Sequence, residues 1–324
     1  MTKIVIDTLG ADVGFAPIVQ GVAKALAEKM DFFPVLVGPA QETKEILDAQ
    51  GIDPAAYELV NVTEYIRNED PPTCIFGDCD KSMAVAYDRL KKDDSCQAML
   101  SAGNTGALLV GSICRLGLLP GLKFPALASA LPCNGENLLC LVDCGANVQC
   151  TPDDLVRFAR MGHVFSKSYC GIPSPRIGLM SVGREPQKGN ELTRTAFEKI
   201  SQLGLNFVGN VEGSDLVSNY ADVIVTDGFS GNLLLKCAES VGKVAMALAE
   251  KYGAGTAAAQ DIRQAIFETF DFNSRGAATF LGPKKTVAKM HGNANADTAT
   301  ASIAQILRLE KARFSQVMAE ELTK

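Results

Sequence analysis

The sequence predicts an α/β protein built on a mostly parallel sheet. Short apolar runs rich in β-branched residues alternate with segments whose apolar residues recur at helical spacing. Because strand–helix–strand units return the chain in the same direction, this order favours parallel pairing with right-handed crossovers. Several of the apolar runs also end in small polar residues, Gly and Asn, as is typical of loops beyond the carboxyl ends of strands.

The apolar runs and helical segments can be placed in order along the chain. We predict strands at 1–7, 34–38, 57–61, 97–101, 124–131, 138–142, 175–182, 206–208, 222–226 and 286–290. We predict helices at 18–29, 41–50, 81–92, 105–116, 155–168, 191–203, 233–252 and 257–270, with a last long helix ending at 321. Runs 124–131 and 138–142 are expected to form a hairpin.

Residues typical of helix N-termini support the predicted starts of several of these helices. Pro17 precedes the first, and Thr151-Pro-Asp-Asp154 supplies an N-cap, a proline at the first position and acids facing the dipole. Asn295 or Asp297 is the predicted cap of the last helix. Segment 64–81 contains Asn68-Glu-Asp-Pro-Pro72 and shows no period, so it is expected to be a loop, either a lid or a plain surface excursion.

The stretch Asp222–Lys236 carries the first functional signal. An apolar strand is followed by Asp227-Gly228-Phe-Ser-Gly-Asn232 and then by a helical pattern. A strand, a glycine-rich turn and a helix N-terminus together place unpaired N–H groups and a helix dipole at one point, which suits phosphate or an oxyanion. Glycine and asparagine also serve ordinary turns, so one such stretch is weak evidence.

Three other strands end in the same way, at 101–106, 143–147 and 209–213. Ligands of open α/β sheets bind beyond the carboxyl ends of strands. The loops could each merely accommodate a tight connection, but taken together they favour one crevice lined by backbone.

Composition narrows the classes of function. The chain has 324 residues, 47% hydrophobic and 21% charged, with a formal net charge of −6, which argues against a nucleic-acid partner. It opens with no signal peptide and has no run of about 18 apolar residues, so we expect a cytoplasmic protein. The ten cysteines form no C-x-x-C pair and are expected to be mostly buried small hydrophobes rather than nucleophiles or metal ligands.

Two single residues are candidates for the site. Lys188 is the long cation of a glycine-bearing loop and could contact phosphate or lie solvated on a turn. His291 follows a strand directly and could donate to an anion or satisfy a loop carbonyl. The chain shows no Walker loop and no G-x-G-x-x-G after the first strand.

Seven motifs then resemble the PlsX-type phosphate acyltransferases of bacterial phospholipid synthesis. In family order they are SAGNTGALL (101–109), PALA (125–128), DCGAN (143–147), KGNELT (188–193), GNVEGSD (209–215), VTDGFSGN (225–232) and KMHG (289–292). The resemblance implies a three-layer α/β/α fold like that of isocitrate and isopropylmalate dehydrogenases and of phosphotransacetylases. It implies transfer of a fatty acyl group from acyl carrier protein to inorganic phosphate, a homodimer, and peripheral contact with the membrane.

On this resemblance we assign roles to residues of the predicted loops. Phosphate attack on a thioester needs an anion site and an oxyanion site but no metal, no cofactor and no covalent enzyme intermediate. The expected substrate-binding residues are Gly228 and, for phosphate, Ser101, Asn104, Thr105, Lys188 and Asn190. Residues expected to orient the acyl donor, stabilise the oxyanion or serve as acid or base are Asn147, Asn210, Asn232, Asp227 and His291.

The chain departs from the family pattern in three places. The first loop, 7–17, carries extra residues and no histidine, the segment 74–81 lacks the usual basic residues, and Phe124 stands where an arginine is usual. Losing cations near an anion site leaves open a phosphotransacetylase-like enzyme that uses coenzyme A, or a silent scaffold of lipid synthesis. A metal-dependent dehydrogenase of the same fold is disfavoured, because the needed acid cluster is missing.

We expect residues 1–324 to form a single catalytic unit with a projecting helical hairpin at about 237–272. The second helix carries one apolar stripe at helical spacing. A projecting helical hairpin most often packs against a partner subunit; a membrane-surface role is less favoured, because the stripe lacks a basic polar face.

Overall fold

A computed structural model describes residues 1–77, 79–133, 138–253, 257–270 and 276–324. Its strands are β1 Thr2–Asp7, β2 Phe32–Gly38, β3 Glu58–Asn61, β4 Cys96–Ser101, β5 Ala126–Pro132, β6 Leu138–Val142, β7 Ile177–Met180, β8 Phe207–Val211, β9 Val223–Val225, β10 Ala278–Leu281 and β11 Thr286–Lys289. Its α-helices are α1 Ala16–Ala27, α2 Ala40–Ala49, α3 Ser82–Lys92, α4 Thr105–Gly111, α5 Pro152–Phe165, α6 Glu191–Ser201, α7 Gly228–Gly253, α8 Ala257–Phe270, α9 Ala296–Lys311 and α10 Phe314–Leu322.

The chain divides into two compact units, one formed by Met1–Pro125 with Gly276–Lys324 and the other by Ala126–Arg275. Unit 1 has strand order β3-β2-β1-β4-β11-β10, parallel except for β10. Unit 2 has strand order β5-β6-β9-β7-β8, parallel except for β5. The predicted α/β class with a mostly parallel sheet is therefore confirmed, while a single catalytic unit over 1–324 stays a prediction.

Unit 1 is layered because its strands are apolar on both faces. Ile4 and Ile6 of β1 are fully buried in a cluster shared with α1, α2 and α9. Val5 is equally buried and points to the opposite face because side chains alternate along a strand. On that face α3 packs against β1, β2 and β4.

Capping residues begin the helices as predicted. Thr151 and Asp154 form a reciprocal capping box at the start of α5. Asn295 accepts from the Thr298 N–H and caps α9. The antiparallel pairing of β5 with β6 confirms the predicted hairpin; part of its turn, 134–137, lies outside the described residues.

Several elements differ from the prediction. Helix α7 begins at Gly228, so 228–232 form its first turn rather than a loop. Gly209 and Asn210 lie inside β8 because the ladder to β7 continues to Val211. The last helix is broken at Arg313, whose φ of 54° is left-handed. Strand β10 was not predicted, since its four residues, ATFL, carry little periodic signal.

The described residues of segment 64–81 are mostly irregular, as predicted, with a short 3-10 turn at Pro72–Ile75. Helices α7 and α8 contact each other along the predicted hairpin, and residues 254–256 between them lie outside the described part of the chain. No described helix is long and apolar enough to cross a bilayer.

The close packing of α1 on α9 generates a first prediction. A Cβ at Gly21 would overlap the carbonyl oxygen of Ala296 and lie 2.5 Å from the Ala299 methyl. Gly21→Ala should therefore introduce overpacking that costs about 3 kcal/mol and outweighs the roughly 1 kcal/mol gained in helix propensity. Denaturant unfolding measures the loss, which should be about 2 kcal/mol net.

Gln20→Ala, on the exposed side of the same helix, is the control and should change stability by less than about 0.5 kcal/mol. Equal stability of the Gly21→Ala and Gln20→Ala proteins would contradict this account of the α1–α9 contact.

Candidate active site

In unit 1 the carboxyl ends of three adjacent parallel strands bring sequence-distant residues together. Asp7 ends β1 in register with Ser101 at the end of β4, and Ser101 is also in register with Lys289 at the end of β11. His291 follows β11 by two residues and is half-buried. Loops that leave these three strands therefore start side by side.

A buried carboxyl group organises the loop after β4. The Ser101 hydroxyl donates to Asp7 Oδ2 at 2.8 Å, and the Gly103 N–H donates to Ser101 Oγ at 3.0 Å. Asp7 and Ser101 are 1% and 0% exposed. Burial raises the pKa of the Asp7 carboxyl to about 6, partly opposed by the bond from Ser101. The hydroxyl of Ser101, a predicted phosphate ligand, thus donates one hydrogen bond and accepts another inside the protein.

The first loop closes over the same point. Asp12 N–H donates to the Gly292 carbonyl at 2.8 Å, and the Asp12 carboxylate accepts from Asn68 Nδ2 at 3.0 Å. Loops 8–14, 66–70 and 291–292 therefore meet. Neither Asp7 nor Asp12 was predicted as a site residue, although each is a short acid in the first strand-to-helix connection.

Asn104 is a structural hub of this cluster. Its Oδ1 accepts from the Ala107 N–H and caps α4. Its Nδ2 lies within hydrogen-bond distance of the carbonyls of Arg67, Asn68 and Asp70, at 3.0, 3.2 and 3.4 Å. The side chain thereby ties segment 66–70 to the start of α4, where Thr105 is exposed.

In unit 2 the loop after β6 is seated on the first turn of α7. The Gly228 N–H donates to the Asn147 carbonyl at 2.8 Å. A Cβ at Gly231 would overlap the carbonyl oxygen of Asp143, so only glycine allows this approach. Asn232 Oδ1 lies 3.6 Å from where a Cβ on Gly145 would be. The predicted residues Asn147, Gly228 and Asn232 are therefore neighbours.

Asp227 occupies the N-terminus of α7. Its Oδ1 accepts from the Ser230 N–H at 2.9 Å and its Oδ2 from the Ser230 hydroxyl at 2.8 Å. These bonds make Asp227 the cap of its own helix. The carboxylate thus fills the place at this helix end where the sequence predicted a bound anion.

The Lys188 loop is anchored by one residue of β8 and by the residue that caps α6. Asn210, buried within β8, donates from Nδ2 to the Glu185 carbonyl at 2.8 Å. Asn190 Oδ1 accepts from the Thr193 N–H at 2.9 Å and caps α6. Lys188 between them is exposed. The structure therefore gives Asn190 and Asn210 local anchoring bonds and leaves Lys188 at the surface of the loop they hold.

The cysteines near these loops are poor nucleophiles. Burial raises the pKa of the Cys144 thiol to about 12 and that of Cys150 to about 12. Both thiols are therefore protonated at neutral pH. Within the described part of the chain, no three His, Cys, Asp or Glu side chains are grouped as metal ligands would be.

Comparison with known proteins gives the family. A family model described as "Fatty acid synthesis protein" matches residues 2–317. A protein named phosphate acyltransferase from Clostridioides difficile is 35% identical, with 99% of this chain and 96% of that protein covered. Another so named, from Thermoanaerobacterium thermosaccharolyticum, is 39% identical over 90% of this chain and 88% of that protein.

The chain belongs to the phosphate acyltransferase family. The resemblance carried by the seven motifs is confirmed. Among solved structures, a phosphotransacetylase from Streptococcus pyogenes matches with a TM-score of 0.65 at 17% identity, covering 95% of this chain and 94% of that one. A branched-chain phosphotransacylase from Enterococcus faecalis matches at 0.59 and 14% identity, covering 95% of this chain and 98% of that one. At these identities the structural matches support the predicted fold class alone.

The buried Asp7 carboxyl group is expected to make the stability of the protein depend on pH. Its folded pKa of about 6 lies above the roughly 3.9 of an ordinary aspartate. The stability that this carboxyl group contributes is therefore complete below the unfolded pKa and is lost as pH rises through 6. The loss should be on the order of 3 kcal/mol.

The comparison protein is Asp7→Asn, whose side chain does not ionise but can still accept from Ser101. The free energy of unfolding of the native protein minus that of Asp7→Asn should fall by on the order of 3 kcal/mol between pH 4 and pH 7. Parallel pH profiles would show that Asp7 does not titrate in this way.

Proposed function

We propose that this phosphate acyltransferase transfers a fatty acyl group from acyl carrier protein to inorganic phosphate, giving acyl phosphate for phospholipid synthesis. The carrying observation is identity of 35–39% to proteins named phosphate acyltransferase over 90–99% of the chain. The family description, fatty acid synthesis, supports a fatty acyl group over a short one.

The reaction makes simple demands on the protein. A phosphate oxygen attacks the thioester carbonyl carbon, a C–O bond forms, the C–S bond breaks, and the carrier thiol leaves with a proton. The enzyme must hold two substrates in line and stabilise the oxyanion between them. Neutral amides and backbone N–H groups suit the oxyanion, and a lysine suits phosphate.

In unit 2 we assign phosphate binding to the Lys188 loop. Lys188 is exposed on a loop anchored by Asn210 and followed by the helix that Asn190 caps, and the N-terminus of that helix favours an anion. Asn147 and Asn232, neighbours on the β6 loop and α7, are assigned to the acyl donor and the oxyanion. Asp227 and Gly228 hold the start of α7 that carries Asn232.

In unit 1, taken by itself, we assign roles to the cluster at the ends of β1, β4 and β11. Ser101 and Asn104 shape the loop through their internal bonds, and Thr105 is exposed at the start of α4. His291, half-buried after β11, is the proposed acid or hydrogen-bond donor, because an imidazole can donate a proton near neutral pH.

The direct test is acyl phosphate formation by the purified chain from long-chain acyl–acyl carrier protein and phosphate, without added metal. Acyl phosphate from this donor supports the proposal. Turnover of acyl-coenzyme A in its place would identify a phosphotransacetylase-like enzyme. No acyl phosphate from either donor would leave a scaffold role.

Lys188→Ala gives the sharpest test of the phosphate assignment. Losing one charge-assisted contact of about 1.5–3 kcal/mol should raise the KM for phosphate about 10- to 100-fold, with a much smaller change in the KM for the acyl donor. Steady-state kinetics at varied phosphate measure it. Lys167→Ala, an exposed lysine of the same unit, is the control and should match the native enzyme. An unchanged KM for phosphate in Lys188→Ala would remove the assignment.

We also propose a homodimer formed through α7. Val241, Val244, Leu248 and Tyr252 are exposed and recur every three or four residues, so they form one apolar stripe. Exposed apolar stripes of this kind mark contact surfaces. The native chain should therefore have twice the monomer mass by light scattering.

The dimer proposal predicts that Val244→Asp yields the monomer mass, because a buried unpaired charge opposes association. Lys243→Asp, which introduces the same acid on the other side of α7, should remain dimeric. A monomeric native chain, or a dimeric Val244→Asp protein, would contradict the proposal. The predicted cytoplasmic location with peripheral contact at the inner face of the membrane remains a prediction that cell fractionation and vesicle co-sedimentation would check.

A further inference from the structure

Asp143 is a fully buried acid directly after β6 that the mechanism above does not use. It is 0% exposed, yet no Lys or Arg of the described chain forms a salt bridge with it. The other buried acids of unit 2 differ in this respect, since Asp215 pairs with Arg184 and Asp222 with Arg176. Something other than a cation must compensate its desolvation.

Five N–H groups do so. Asp143 Oδ1 accepts from the backbone N–H groups of Leu127, Gly145 and Ala146 at 3.0, 3.1 and 3.0 Å. Asp143 Oδ2 accepts from the backbone N–H of Asn147 at 2.6 Å and from Asn147 Nδ2 at 2.7 Å. Four of the five bonds therefore come from the loop 144–147, and two of these four come from Asn147.

These bonds fix the orientation of the Asn147 amide. A carboxylate can only accept, so the edge of the amide facing Asp143 must be its NH₂ group. The backbone of Asn147 is fixed as well, and its carbonyl accepts the Gly228 N–H at the start of α7. Asp143 thus determines both where Asn147 lies and which way its amide oxygen faces.

We infer that Asp143 is a positioning residue for acyl transfer, acting through Asn147. This inference rests on the proposed function, in which Asn147 orients the acyl donor or its oxyanion. A merely structural acid would need only the backbone bonds of the loop. The additional bond to Asn147 Nδ2 orders the side chain that is assigned to the substrate.

The test is a double-mutant cycle on kcat. Asp143→Asn presents an NH₂ group to N–H donors and should release the Asn147 side chain, lowering kcat about 100-fold while the KM for phosphate changes less than threefold. Asn147→Ala should lower kcat by a similar factor. The double variant should be no slower than either single variant, because both remove one function.

Asp222→Asn is the matched control. Asp222 is also buried in unit 2 and takes three hydrogen bonds from Arg176, but it lies before β9, at the amino end of the strand. Its variant should lose thermal stability and keep the native kcat. If Asp143→Asn does not fold, Asp143→Glu, which keeps the charge but shifts the oxygens by one methylene, replaces it in the cycle with the same expectation.

Three outcomes would overturn the inference: a kcat within twofold of native in the Asp143 variant, losses that multiply in the double variant, or an equal loss of kcat in Asp222→Asn. Absence of acyl phosphate from the native chain would instead overturn the proposed function. The two failures are therefore distinguished by the native activity.

Discussion

Two loops at the carboxyl ends of parallel strands are held by buried carboxyl groups. Parallel pairing ends abruptly at these points and leaves backbone N–H groups that need acceptors. Asp7 ends β1 and accepts from the Ser101 hydroxyl, and Asp143 follows β6 and accepts five N–H groups. A short acid at the strand end thus orders a loop that carries residues proposed for the chemistry.

The polar residues of the loops fall into two groups, those bonded inside the protein and those exposed to solvent. Ser101, Asn104, Asn190 and Asp227 bond to the backbone or side chains around them, cap helices or tie loops together. Lys188, Thr105 and Asn232 are exposed. A loop built from the first group is rigid enough to present the second, which is what positioning two substrates requires.

Glycine also helps to order the loop after β6, because it allows the first turn of α7 to approach that loop closely. The first turn of α7 reaches the Asp143 carbonyl only because residue 231 has no Cβ. The contact brings Asn232 near Gly145 and Asn147 near Gly228. Residues separated by about eighty positions thereby become neighbours through backbone contact rather than through long side chains.

Much of the fold was predictable because it rests on local signals. Alternating apolar runs and helical segments indicated the parallel sheet, and Thr151 and Asn295 marked helix starts that the structure confirms. The predicted boundaries of β8 and α7 were wrong, because backbone hydrogen bonding continued through residues whose composition is typical of loops. Gly209 and Asn210 look like a turn but extend the β8 ladder, and the glycines after Asp227 look like a loop but begin a helix.

By itself the sequence determined the order of most strands and helices, the family, and which loops are small and polar, since each of these depends on neighbouring residues or on motifs. Only the tertiary structure decided what the polar side chains bond to. Asp143 and Asn147 stand four residues apart in a short loop. No rule of sequence spacing indicates that the Asp143 carboxylate accepts hydrogen bonds from the N–H groups of this loop. The bond from the Leu127 N–H to Asp143 depends on the pairing of β5 with β6. These hydrogen bonds matter for stability because their donors and acceptor are buried, where an unsatisfied polar group is costly.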